Sequence, residues 1–117
     1  MGGLTQASCI PCRGGVPTLT AEEIAALTPQ VPEWQVVEVD GIQRLRREFR
    51  FKNFRRALDF AVQVGELAEQ EQHHPDLHVA WGKVAVETWT HKIGGLHHND
   101  FVLAAKTDAL YTTEAVG

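Results

Sequence analysis

Apolar positions along this chain recur at two different spacings, and the changes from one to the other predict seven elements. Thr20 and Glu23 form a capping-box pattern ahead of Ile24, Ala25 and Leu27, which predicts a short helix stopped at Pro29. Trp34 to Val39 reads as a strand, Asp40-Gly41 as a tight turn, and Ile42 to Phe51 as the returning strand. In that second strand Leu45, Phe49 and Phe51 share one face while Arg44, Arg46, Glu48 and Arg50 take the other, the signature of a sheet covered on one side. From Asn53 to about Gln70 the apolar residues Phe54, Ala57, Leu58, Ala61, Gly65 and Ala68 follow helical spacing.

A second hairpin follows, with Leu77, Val79 and Trp81 alternating, Gly82-Lys83 as the turn, and Val84, Val86 and Thr88 alternating back. Beyond Gly94-Gly95 a last helix runs from about Asn99 to Tyr111. The order is α-β-β-α-β-β-α. It predicts an α+β fold, a four-stranded antiparallel sheet with three helices packed on one face.

Composition narrows the class. At 117 residues, 44% hydrophobic and 22% charged, the chain suits one ordinary globular domain. Residues 1–19 hold glycines, prolines and both cysteines without periodicity and read as an arm, leaving 20–117 as the single domain. No apolar run reaches membrane-spanning length, and no basic segment followed by an apolar stretch marks a secretory signal, so the expectation is no membrane and a cytoplasmic location. A net charge of −4 argues against nucleic-acid binding through bulk charge. Seven of the eleven basic residues nevertheless fall between Arg44 and Arg56. That run reads first as a solvated strand face entering a helix, and second as a basic face for an anionic ligand or partner.

The candidate chemistry lies in the histidines and one aspartate. Trp81 paired with Val84 across the second turn would place His74 opposite His91, although Pro75 has no N–H and ends the ladder nearby. Asp100 sits in the first turn of the last helix, where the helix dipole favours an ionised carboxylate, and a carboxylate can fix the tautomer of an imidazole. Glu66, Glu69 and Glu71 crowd the end of the long helix against its dipole, so they point to another duty. Clustered imidazoles beside an acid suit proton transfer in both directions. His78, His97 and His98 read as surface residues. A metal site from His73, His74, His78 and His91 is the alternative, weakened because Pro75 breaks the helical spacing of His74 and His78. Cys9 and Cys12 form one CxxC without the strand-helix context of a redox site and with too few thiolates to close a zinc site.

Glu69, three residues, His73-His74-Pro75, five residues, Trp81, nine residues, His91, eight residues and Asp100 together resemble the pattern of the pterin-4a-carbinolamine dehydratases. Lys83-Val84, Thr90-His91, Gly94-Gly95-Leu96 and Leu103-Ala104-Ala105 are similar to that family too, over Thr20 to about Asp108. The resemblance implies a lyase that removes water from 4a-hydroxytetrahydropterin, giving quinonoid dihydropterin for aromatic amino acid hydroxylases such as phenylalanine hydroxylase. It implies no metal or organic cofactor, and assembly as a homodimer or homotetramer. Residue by residue it implies His73, His74, His91 and Asp100 as the catalytic set, with His73, His74, Pro75, Trp81 and His91 binding the pterin. Animal-type members carry an aromatic residue at Leu77 and Tyr-Asn at Trp81-Gly82, so this chain resembles the bacterial branch. Two other readings stay open: the same fold serving another pterin or molybdenum cofactor pathway, and a non-catalytic oligomeric binding module using the basic strand face.

Overall fold

A computed structural model describes residues 4–7, 9 and 16–116, with side chains to residue 112; Cys12 lies outside the described residues. Helix α1 spans Ala21–Leu27, strands β1 Gln35–Val39 and β2 Ile42–Arg50, helix α2 Phe54–Glu71, strands β3 Asp76–Ala80 and β4 Lys83–Thr88, and helix α3 His98–Val116. The strands form one antiparallel sheet in the order β1-β2-β4-β3. Fold class and element order match the sequence expectation.

Local chemistry explains the starts and stops. Thr20 caps α1 by accepting from the Glu23 N–H while the Glu23 carboxylate accepts from the Thr20 N–H, the reciprocal arrangement that satisfies two otherwise orphaned donors. Pro29 does not end the chain's helical path abruptly. It occupies a 3-10 turn, Thr28–Gln30, where its fixed φ is already suited. Asn53 caps α2 through the Arg56 N–H.

The first hairpin turns at Asp40-Gly41 as expected, with both residues at positive φ. The second turns one residue earlier than the alternation suggested, because Ala80 pairs with Lys83 and leaves Trp81-Gly82 as the loop, which moves the pairing register by two. Gly82 takes φ +70, and a Cβ there would meet the Phe51 carbonyl at 3.1 Å, so only glycine fits the second turn position. A shift of two keeps every side chain on its face, and Val84, Val86 and Thr88 remain buried. It does remove the expected pairing of His74 with His91, since the ladder ends at Asp76 and Glu87.

The core lies between the sheet and helices α2 and α3. Leu45, Phe49, Val84 and Val86 from the sheet meet Phe60, Val64, Phe101 and Val102 from the helices. Leu4 joins this core, although its aperiodic surroundings gave no sign of it. Trp34 Nε1 and Arg47 both donate to Asp108 Oδ1, at 2.8 and 2.7 Å, and tie α3 to the sheet. The other sheet face is polar, with Arg44 on Glu87, and Arg46 and Arg50 on Glu48. Among the described residues, no helix is long and apolar enough to cross a membrane.

Candidate active site

The site begins where α2 ends. Gln72 adopts a left-handed conformation, φ 55, and the His73 N–H reaches back to the Ala68 carbonyl at 3.2 Å. A non-glycine residue held there stores roughly 1–3 kcal/mol of strain, and the outcome is a buried His73 at the turn into β3.

Asp100 is fully buried in the first turn of α3. Its Oδ1 accepts from Thr88 Oγ1 at 2.6 Å and lies 2.6 Å from His73 Nε2. Its Oδ2 accepts from Thr90 Oγ1 at 2.9 Å and from the His97 N–H at 3.0 Å. A carboxylate offers about four lone-pair positions, so this one is saturated. An ionised, acceptor-only Asp100 assigns the proton between the two residues to His73 Nε2, which leaves Nδ1 of the same ring as the acceptor.

His97, read from sequence as a surface residue, is half-buried and belongs to this support. Its Nδ1 accepts from the Asn99 N–H at 3.0 Å, closing the N-terminus of α3. Burial pushes its pKa down, with Asp100 opposing and neighbouring His73 and His98 acting in the same direction as burial, which favours the neutral ring that its acceptor role uses.

His73 opens onto a cleft of about 450 Å³ that is also lined by His74, His91, Trp89, Glu71 and Cys9. His74 is exposed and its Nε2 lies 2.6 Å from Glu69 Oε2. His91 stands on a 3-10 turn, His91–Ile93, with its ring 4.4 Å from that of Trp89. Glycine at position 95 lets this loop close against Thr18, whose Cγ2 would lie 2.5 Å from a Cβ there. The three histidines proposed from sequence therefore meet at one cleft, but only His73 touches Asp100. Pro75 and Trp81 lie elsewhere. Pro75 lines a concavity on the open sheet face, together with His78, and Trp81 projects from the β3–β4 turn with 72% of its surface exposed.

Two of the acids at the end of α2, Glu69 and Glu71, have partners. Glu71 accepts from Lys106 Nζ at 2.6 Å and from the Cys9 N–H at 2.8 Å. Burial disfavours its charge, yet the Lys106 hydrogen bond and the Cys9 amide outweigh burial and leave its pKa lowered. Burial, with Glu71 adding to it, pushes the Cys9 thiol up to about 12, so it stays protonated as a wall of the cleft.

A small α+β domain that backs one imidazole with a buried, saturated carboxylate at a cleft, with two more imidazoles on the lining, has the groups needed to exchange protons with a small polar molecule. Residues 17–110 match the pterin 4 alpha carbinolamine dehydratase family, and the chain belongs to that family. A protein of Syntrophotalea carbinolica, provisionally named a pterin-4-alpha-carbinolamine dehydratase, is 56% identical over 94% of this chain and 98% of its own. A Chlorobium luteolum protein with the same provisional name is 54% identical over 95% and 97%. A crystal structure described as a transcriptional coactivator/pterin dehydratase from Brucella melitensis superposes with a TM-score of 0.72 at 33% identity, over 80% of this chain and 98% of that one.

Proposed function

We propose that this protein dehydrates a 4a-hydroxytetrahydropterin to quinonoid dihydropterin and water. The observation that carries the proposal is His73 held by Asp100 through Nε2 on the lining of the cleft; with the shared proton on Nε2, Nδ1 is the ring's acceptor. Membership of the family and the names of its relatives supply the substrate class.

The reaction breaks the C4a–O bond and the N5–H bond and forms a C4a=N5 double bond. It needs a base for the N5 proton and an acid for the departing hydroxyl, and each such assistance is typically worth ~10²–10⁴ in rate. His73 suits the base. Its Nδ1 can accept the proton, and the imidazolium that results lies against Asp100, which stabilises it. His91, across the same cleft lining, supplies the acid that protonates the hydroxyl as it leaves as water. His74 binds the substrate, with Glu69 fixing its ring. Pro75 contributes by standing before the first residue of β3 and stopping the β3–β4 ladder beside His74, and Trp81 is left out of the proposed contacts.

Only proton transfers are required, so the reaction runs without a metal or organic cofactor. Assembly as a homodimer or homotetramer in the cytoplasm, recycling pterin for an aromatic amino acid hydroxylase such as phenylalanine hydroxylase, completes the proposal; Leu77 and Trp81, exposed on the edge hairpin, support assembly. The test supplies freshly generated carbinolamine to the purified protein with and without a chelator. Acceleration above buffer that survives chelation is expected. A rate equal to buffer contradicts the activity, and loss with the chelator contradicts the cofactor-free chemistry.

A further inference from the structure

His91 raises a question of orientation. Among the described residues its imidazole makes no hydrogen bond and no ion pair, and its one contact of note is the Trp89 ring at 4.4 Å, tilted by 53°. An exposed imidazole without a hydrogen bond is free to rotate about two side-chain bonds, and a proton donor must be placed within hydrogen-bond reach of the leaving oxygen. Trp89, by contrast, is almost fully buried and lines the same cleft.

What holds Trp89 comes from a neighbouring strand. The Arg44 guanidinium lies 3.8 Å from the centroid of the Trp89 ring, well within cation–π range. Arg44 is in turn fixed by Glu87 Oε1 at 3.0 Å, and its Nε is buried without a hydrogen-bond partner among the described residues. A buried guanidinium with an unpaired N–H is costly; Glu87 balances its charge and the Trp89 face adds a cation–π contact that offsets the loss. Arg44 opens the basic run that the sequence left as a solvated face. Here it is mostly buried and serves the cleft.

We infer that Glu87, Arg44 and Trp89 form a positioning relay that sets the ring of His91 for proton transfer. Trp89 and Arg44 are positioning residues, since they act through His91. The inference rests on the acid role given to His91 above.

A double-mutant cycle separates the two. In the carbinolamine dehydration assay, His91→Ala and Trp89→Leu are each expected to lower kcat, Trp89→Leu by roughly 10- to 100-fold, the scale of misplacing a catalytic group by about 1 Å. On a His91→Ala background, Trp89→Leu should add almost nothing, because the group it positions is gone. Trp89→Phe, which keeps a ring face, should recover most of the loss. Arg44→Met should lower kcat with little change in KM, and it leaves Glu87 paired with Arg46 at 3.4 Å. Circular dichroism and unfolding midpoints of each variant identify any that fail to fold, and the Trp89→Phe and Arg44→Met pair then carries the test. Independent, multiplicative losses in the double variant, with His91→Ala impaired, overturn the relay alone. A His91→Ala variant at the wild-type rate overturns the role of His91 in the proposed function, and the relay with it.

Discussion

At the scale of single residues, Asp100 organises the site. A fully buried carboxylate is tolerable only when its lone pairs are filled, and Thr88, Thr90, the His97 amide and His73 fill them. Asp100→Asn places an amide NH₂ against these donors. It should lower stability by about 2–3 kcal/mol and kcat by roughly 10²-fold or more through loss of the His73 tautomer. Urea unfolding and dehydration kinetics on the same preparation check both, and a variant with wild-type kcat contradicts the tautomer argument. Asp100 and His73 were legible in the sequence through a helix start and a spaced motif. The parts of His97 and Thr90 as donors to Asp100 were not, although Thr90 stood in the motif, since a backbone amide and a loop hydroxyl carry no periodic signal. The left-handed Gln72 was equally hidden, because glutamine is not a residue that announces positive φ.

At the scale of elements, the hairpins show what alternation can and cannot determine. The faces of β3 and β4 follow from a period of two, but register depends on which turn geometry closes, and Gly82 was needed at the second turn position rather than the first. The N-terminal arm makes the complementary point. Leu4 and Cys9 dock against the domain through apolar packing and through the Cys9 amide and thiol, which donate to Glu71 and to the Asn99 carbonyl, contacts with no period to read in advance. Glu71 is the anchor, receiving Lys106 and the Cys9 amide. Its folded pKa lies below the ordinary carboxylate value of 4.5, so its contribution to stability is present in full above 4.5 and is lost as pH falls through the lowered value. Glu71→Gln is expected to cost about 1–3 kcal/mol near neutrality, with the gap from wild type narrowing in acid. Unfolding midpoints across a pH series measure it, and a gap that stays constant below 4.5 contradicts the anchor.

At the scale of the whole molecule, one sheet with its helices on a single side leaves two different surfaces. The helical side holds the core and, at the junction of α2, β4 and α3, the cleft. The open side carries the basic strand, whose arginines are largely compensated by Glu48 and Glu87, so the local excess of positive charge read from the sequence is spent within the protein. This architecture brings His73, His74 and His91 to one place from a helix end, a strand entry and a loop; hairpin register had suggested it for His74 and His91 through a pairing that does not form, and the inclusion of His73 came only through family resemblance. The central claim is that this cleft removes water from a hydroxylated pterin through His73 backed by Asp100. The most direct measurement is the dehydration rate of freshly generated 4a-hydroxytetrahydropterin with wild-type protein and with His73→Ala at equal concentration. The wild type should exceed the variant by roughly 10²-fold or more, and equal rates would contradict the account.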